Sequence, residues 1–234
     1  MRKLFLVQGT RLGSEMARLI AFGDSFTYGH GLEDCHVPAP KVLFGCKEKD
    51  LPGPNPSIFA WPQLLGNLLG LAVVNKAVPG NSNLQIIRDI LKFESFESSD
   101  LVIVGWTFKE RDTIFNKNVL GQESETRISP WHKSTKLISQ HLNVHNGYDM
   151  SVRMGLHIHH AECYLKTKVT EQLHFCAFHH AWYNDLAVFI KEPDYFISDP
   201  ILIHTDKALD KSHPGPVTHL KGARKLYDIL TATE

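Results

Sequence analysis

Four short apolar runs, separated by stretches of helical periodicity, constrain the fold of this chain more than any other feature. Leu19-Ile20-Ala21-Phe22, Leu71-Ala72-Val73-Val74, Leu101-Val102-Ile103-Val104 and the run from Leu173 to Phe178 have the length and continuity of strands buried on both faces. Between the first two, Trp61, Leu64, Leu65, Leu68 and Leu69 fall on one helical face. Leu84, Ile87 and Leu91 form a second such face, with Ser82 placed to cap the helix. Met154, Ile158, Ala161 and Leu165 mark a longer amphipathic helix, and Leu220, Ala223, Tyr227 and Leu230 line a last one opened by Pro216. Strands and helices alternating in this order predict a parallel sheet with helices on both faces, a three-layer α/β/α sandwich.

A chain of 234 residues is long enough to close one such domain around a proper core. Met16 opens Met-Ala-Arg-Leu-Ile-Ala-Phe, which reads as a start followed directly by a strand. Residues 16–234 are therefore expected to form a single domain and residues 1–15 an N-terminal extension. Two polar stretches, about 30–58 and about 108–148, interrupt the pattern as loop insertions, the first rich in proline.

Charge and hydropathy narrow the partners. Lysine plus arginine (25) equals aspartate plus glutamate (25), so nothing favours nucleic-acid phosphates and no nucleic-acid partner is expected. No apolar run approaches the ~18 residues that span a bilayer. The opening apolar run stops at Gln8, short of the ~7–15 residues of a signal-peptide core. The expectation is a cytoplasmic chain without a membrane span. Cys35, Cys46, Cys163 and Cys176 form no Cys-x-x-Cys pair and are expected to be reduced thiols.

In open parallel sheets, sites form beyond the carboxyl ends of the strands. After the first strand comes Phe22-Gly23-Asp24-Ser25-Phe26-Thr27-Tyr28-Gly29. A serine there points its hydroxyl and its N–H into the crevice, although Gly-Asp-Ser alone is also ordinary turn chemistry. Near the C-terminus stands Asp210-Lys211-Ser212-His213-Pro214. A serine hydroxyl needs a base to take its proton, and an imidazole base needs a carboxylate to fix its tautomer. With fourteen histidines in the chain, Asp-x-x-His is a common match, and His204 with Asp206 forms a competing pair.

Taken together, Gly-Asp-Ser after the first strand, Asn75-Lys76-Ala77-Val78-Pro79-Gly80-Asn81-Ser82 after the second and Asp-x-x-His-Pro before the last helix resemble three sequence blocks of the SGNH (GDSL-type) serine hydrolases. Trp61-Pro62-Gln63-Leu64-Leu65 is similar to the helix that family places before its second strand. The resemblance implies a flavodoxin-like sheet of about five strands, a Ser-His-Asp triad and no cofactor or metal. It places Ser25 at the nucleophile, His213 at the general base and Asp210 at the acid that orients it. The oxyanion hole falls on the N–H groups of Ser25 and Gly80.

The third block departs from the pattern. Where the family has Gly-x-Asn-Asp, this chain reads Gly105-Trp106-Thr107-Phe108, so Thr107 stands at the position of the asparagine donor. The expectation is that the Thr107 hydroxyl, or a water it holds, replaces the asparagine amide as third oxyanion donor.

The implied activity is hydrolysis of an ester or O-acyl bond through an acyl-enzyme. Substrates would be small-molecule or carbohydrate esters, O-acetylated carbohydrate among them, with Trp131, His132 and Tyr148 on the substrate rim. The alternative is a binding or assembly protein of this fold with weak or no catalysis, of the kind a bacteriophage could encode. His157, His159, His160 and Cys163 are dense enough to suggest a metal, but helical geometry leaves only His160 and Cys163 on a shared face, so surface or packing roles are expected. His219, inside the last helix, is expected to be a packing residue.

Overall fold

The computed structural model describes residues 18–38, 51–118, 121–129, 136–145, 147–177, 196–197 and 201–232. The extension over residues 1–15, together with Cys46, Trp131 and His132, lies outside them.

Alternation along the first strand builds both halves of the core. In β1 (Arg18–Phe22) successive side chains point to opposite faces. Leu19 and Ala21 pack with Trp61 and Leu65 of α2 (Trp61–Leu69) and with Ala223, Leu226 and Leu230 of the last helix, α6 (Pro216–Thr231). Ile20 and Phe22 pack on the other face with Ile86, Ile87 and Ile90 of α3 (Asn83–Lys92) and Met154, Ile158 and Leu165 of α5 (Gly147–Leu165). The same division splits Ile103 from Val102 and Val104 in β5 (Leu101–Trp106), every residue of which is buried. Truncating such a residue to alanine costs ~2–5 kcal/mol.

The main sheet has five strands, all parallel, in the order β4–β1–β5–β8–β9, with β4 at Ala72–Asn75, β8 at Glu171–Cys176 and β9 at Phe196–Ile197. The second strand in the fold thus lies outside the first, and the third to fifth follow on the other side, which is the flavodoxin-like order. This is the expected three-layer α/β/α fold with strand order included. The short β9 was not legible in the sequence. No helix among the described residues is long and apolar enough to cross a membrane.

The two polar insertions carry structure of their own. In the first, β2 (His36–Val37) pairs antiparallel with β3 (Leu51–Pro52). In the second, β6 (Asp112–Lys117) and β7 (Glu123–Ile128) form an antiparallel hairpin, followed by α4 (Lys136–Val144). The hairpin docks beside α3, where the Ser82 and Thr113 hydroxyls are 2.7 Å apart, and Arg127 donates to the Pro79 carbonyl at 2.8 Å. It therefore flanks Gly80 at the carboxyl edge of the sheet. α5 begins at Gly147, earlier than its apolar stripe indicates.

Candidate active site

The serine expected as nucleophile sits at the first turn after β1. Asp24 caps the short helix α1 (Ser25–Tyr28), its Oδ1 accepting the Phe26 N–H at 3.0 Å and its carbonyl the Tyr28 N–H at 2.9 Å. Gly29 ends the helix in the left-handed conformation at φ 83°. Gly23 and Gly105 make room for this turn: a Cβ on either would lie 2.2 Å or 2.7 Å from Thr27 Oγ1. Ser25 is 3% exposed, and its hydroxyl makes no hydrogen bond among the described residues.

Beyond β4 the chain runs on alongside β1. Lys76 donates to the Ala21 carbonyl at 2.8 Å and Val78 to the Gly23 carbonyl at 3.1 Å, while Asn75 Nδ2 donates to the Thr27 carbonyl at 2.8 Å. The Pro79–Gly80 turn is thereby carried to the start of α1. Gly80 holds φ 82°, which favours glycine, and Asn81 closes the turn by donating to the Val78 carbonyl at 3.1 Å.

The Asp-x-x-His turn is tied to the segment that follows α1. Leu209 donates to the Gly31 carbonyl at 2.9 Å, and His30 donates to the Ser25 carbonyl at 3.0 Å. His213 Nδ1 and Asp210 Oδ2 form a very short hydrogen bond. The N–H groups of Ser212 and His213 donate to Asp210 Oδ1 at 3.1 Å and 3.0 Å, and the Ser212 hydroxyl donates to Oδ2 at 2.9 Å. Burial acts to raise the Asp210 carboxyl, but these hydrogen bonds and the His213 ring overcome it and hold it at about 2. Lys211, between the acid and the histidine, adopts φ 61°, a strained conformation for a side-chain-bearing residue.

Two rings border His213. Phe26 lies 5.4 Å from it, centroid to centroid, and His30 lies at 4.4 Å, tilted by 31° between planes. Ser25 and His213 are thus brought to the same edge through their neighbours, with the serine hydroxyl not yet hydrogen-bonded to the imidazole. His30, Asp210 and His213 present ligand atoms within 4.8 Å of one another. The bond already joining His213 to Asp210 fits an orienting pair.

The competing acid has a different task. Asp206 accepts the Val217 N–H at 3.0 Å and the Thr218 N–H at 2.8 Å, so it caps α6. His219 is fully buried, as expected of a packing residue, and accepts the Trp61 N–H at 3.1 Å on Nδ1, while burial pushes its imidazole down to about 4.

The Thr107 hydroxyl has a protein acceptor of its own. It donates its one proton to Asp24 Oδ2 at 2.5 Å, which leaves none for an oxyanion. The residue's backbone is held by Asn83, which accepts the Thr107 N–H at 2.9 Å and donates to its carbonyl at 3.2 Å. Arg111, which the sequence did not bring forward, donates from Nη1 to Asp24 Oδ2 at 2.8 Å and to Thr107 Oγ1 at 3.1 Å. His30 was also missed, and its position five residues past Ser25 carries no motif.

The remaining histidine and cysteine candidates lie elsewhere. Cys163 Sγ pairs with His159 Nε2 at 3.6 Å on the exposed face of α5, so the i,i+4 neighbour shares its face as well as the expected His160. Cys35, Cys163 and Cys176 are free thiols. Tyr148 is exposed near the start of α5.

No protein-family model matches the chain, and no curated protein matches it. Solved structures do. A carbohydrate esterase family 2 enzyme with a carbohydrate-binding domain from Corynascus (Myceliophthora fergusii) aligns over 93% of this chain at 13% identity, TM-score 0.55. The acetyl xylan esterase Est2A from Butyrivibrio proteoclasticus aligns over 93% at 12% identity, TM-score 0.55. A Geobacillus acetyl-xylooligosaccharide esterase, solved as a W190I mutant, aligns over 93% at 14% identity, TM-score 0.53. The chain spans 66% and 64% of the first two and 95% of the third. At these identities the likeness concerns architecture: the chain has the α/β/α fold of the SGNH hydrolases.

Proposed function

We propose that this protein hydrolyses an ester or O-acyl bond with Ser25 as nucleophile, His213 as general base and Asp210 as the acid that orients it. The observation that carries the reading is the turn from Asp210 to His213. Three hydrogen bonds fix the carboxylate, the carboxylate fixes the imidazole through Nδ1, and the turn is bonded to the segment issuing from the Ser25 helix. With Nδ1 occupied, Nε2 is the nitrogen left to accept a proton, as a general base requires. Asp210, held at about 2, remains anionic wherever the histidine is neutral.

In this reading a rotation of the Ser25 side chain closes the bond to His213, and the imidazole takes the hydroxyl proton as Oγ attacks the acyl carbonyl. The developing oxyanion is received by the N–H groups of Ser25 and Gly80. His213 then returns the proton to the departing alcohol, and water cleaves the acyl-enzyme by the same route. Among acyl groups, acetyl on carbohydrate is favoured, because the similar structures include esterases of acetylated xylan and xylooligosaccharide.

Hydrolysis of p-nitrophenyl acetate and of acetylated xylooligosaccharides, compared between wild type and Ser25→Ala, tests the reading. Turnover that vanishes in Ser25→Ala supports it. Turnover that survives the substitution, or a wild type inert on both substrates and unlabelled by a fluorophosphonate, overturns it in favour of a binding protein.

A further inference from the structure

We propose that Arg111 is a positioning residue for the nucleophile turn, acting through the buried carboxylate of Asp24. The inference rests on the reading of Ser25 as nucleophile.

Asp24 is fully buried, and a lone carboxylate there would be strongly unfavourable. Its two oxygens divide the work. Oδ1 caps α1 through the Phe26 N–H, and Oδ2 takes the Thr107 hydroxyl at 2.5 Å and Arg111 Nη1 at 2.8 Å. The Arg111 side chain is 10% exposed, its guanidinium lies 5.4 Å from the Phe108 ring, and Nη1 also approaches the Asn81 carbonyl at 3.4 Å.

One guanidinium therefore joins the segments that follow three strands. Asp24 precedes Ser25 after β1, Asn81 follows Gly80 after β4, and Thr107 follows β5. These segments carry the attacking hydroxyl and both proposed oxyanion N–H groups. Where the SGNH pattern would put an asparagine at residue 107, this chain has a threonine whose hydroxyl is turned onto Asp24, and the cation four residues on completes that arrangement. A planar guanidinium can donate to several acceptors in fixed directions, whereas a lysine ammonium supplies charge without that geometry.

The experiment compares wild type with Arg111→Met, Arg111→Lys, Asp24→Asn, and Arg111→Met combined with Asp24→Asn, the last of which removes both charges and leaves no lone buried ion. Turnover of p-nitrophenyl acetate and amide hydrogen exchange at Phe26, Thr27 and Tyr28 are measured on each. Arg111→Met is expected to lower kcat by about tenfold to a hundredfold with KM little changed, as for a group that orients the reacting atoms. Arg111→Lys should restore part of the loss, and exchange over residues 26–28 should accelerate in step. The combined variant should lose no more than Arg111→Met alone, since both substitutions break one link.

Wild-type kcat in Arg111→Met, or unchanged exchange over residues 26–28 in that variant, overturns the inference. Losses that add in the combined variant also overturn it, because Arg111 would then act independently of Asp24. A wild type without Ser25-dependent turnover refutes the proposed function instead, and the exchange measurement still decides whether Arg111 holds the turn.

Discussion

Gly31 stands so close to the carboxylate of Asp210 that a Cβ on it would lie 2.7 Å from Cγ and 2.8 Å from Oδ1. Gly31 also holds φ 85°, which L side chains rarely adopt. Gly31→Ala therefore combines backbone strain with a push on the acid that orients His213. The expected outcome is a loss of ~1–3 kcal/mol in stability together with a fall in kcat. Thermal unfolding and ester turnover check it. An alanine variant with wild-type values of both would mean that the turn has another place for the carboxylate.

The two C-terminal aspartates should separate cleanly. Asp206 caps α6, so Asp206→Asn should cost up to ~1 kcal/mol of stability and leave turnover nearly intact. Asp210→Asn should lower stability by ~1–2 kcal/mol, because the fold favours the ionised carboxyl, and should lower kcat by about 10⁴-fold, because the amide favours the wrong histidine tautomer. The reverse pattern in paired denaturation and kinetic assays would assign the acid to Asp206.

Acid should destabilise the fold well above the range of its carboxylates. Burial holds His219 down at about 4 and His174 at about 3. The unfolded chain protonates these residues near pH 6.5, while the folded chain resists until pH about 4 and about 3. Between those limits the unfolded state binds more protons, so stability falls as pH drops, by a few kcal/mol in order of magnitude, and levels off below. Urea midpoints measured from pH 7 to pH 4 should decline, and His219→Gln should flatten the decline. A midpoint constant over that interval would place both imidazoles in contact with water.

Much of the fold was legible because each core position reports its own environment. Continuous apolar runs gave strands buried on both faces, and the split of Leu19 and Ala21 from Ile20 and Phe22 is what two covering layers demand. The hairpin β6–β7 was not legible: its strands, Asp112–Lys117 and Glu123–Ile128, are largely polar and exposed, so no apolar alternation marks them. In the site, Ser25, Gly80, Asp210 and His213 stood out because their motifs are local and ordered. Arg111 did not, since an arginine in a polar loop is ordinary until a buried carboxylate is found opposite it. Which acceptor the Thr107 hydroxyl would choose was not legible either, because it depended on Asp24, eighty-three residues away.

The Thr107 hydroxyl has one proton and two possible uses for it. Its place after β5 is where the SGNH pattern sets an oxyanion donor, yet its proton goes to Asp24 Oδ2. Thr107→Val keeps the shape and removes the hydroxyl, leaving the carboxylate with Arg111 and the Phe26 N–H. A hydrogen bond to a charged group is worth ~1.5–3 kcal/mol, so a clear drop in unfolding free energy is expected. Turnover should fall with it, by about tenfold, because the cap that orients Ser25 is loosened. Thr107→Ser restores the donor and should return most of both. An oxyanion donor would behave differently: Thr107→Val would then lower kcat with stability untouched, since that contact forms in the transition state alone. Measuring unfolding and kcat on the same two variants distinguishes the cases, and a fall in kcat at constant stability would return Thr107 to the oxyanion hole.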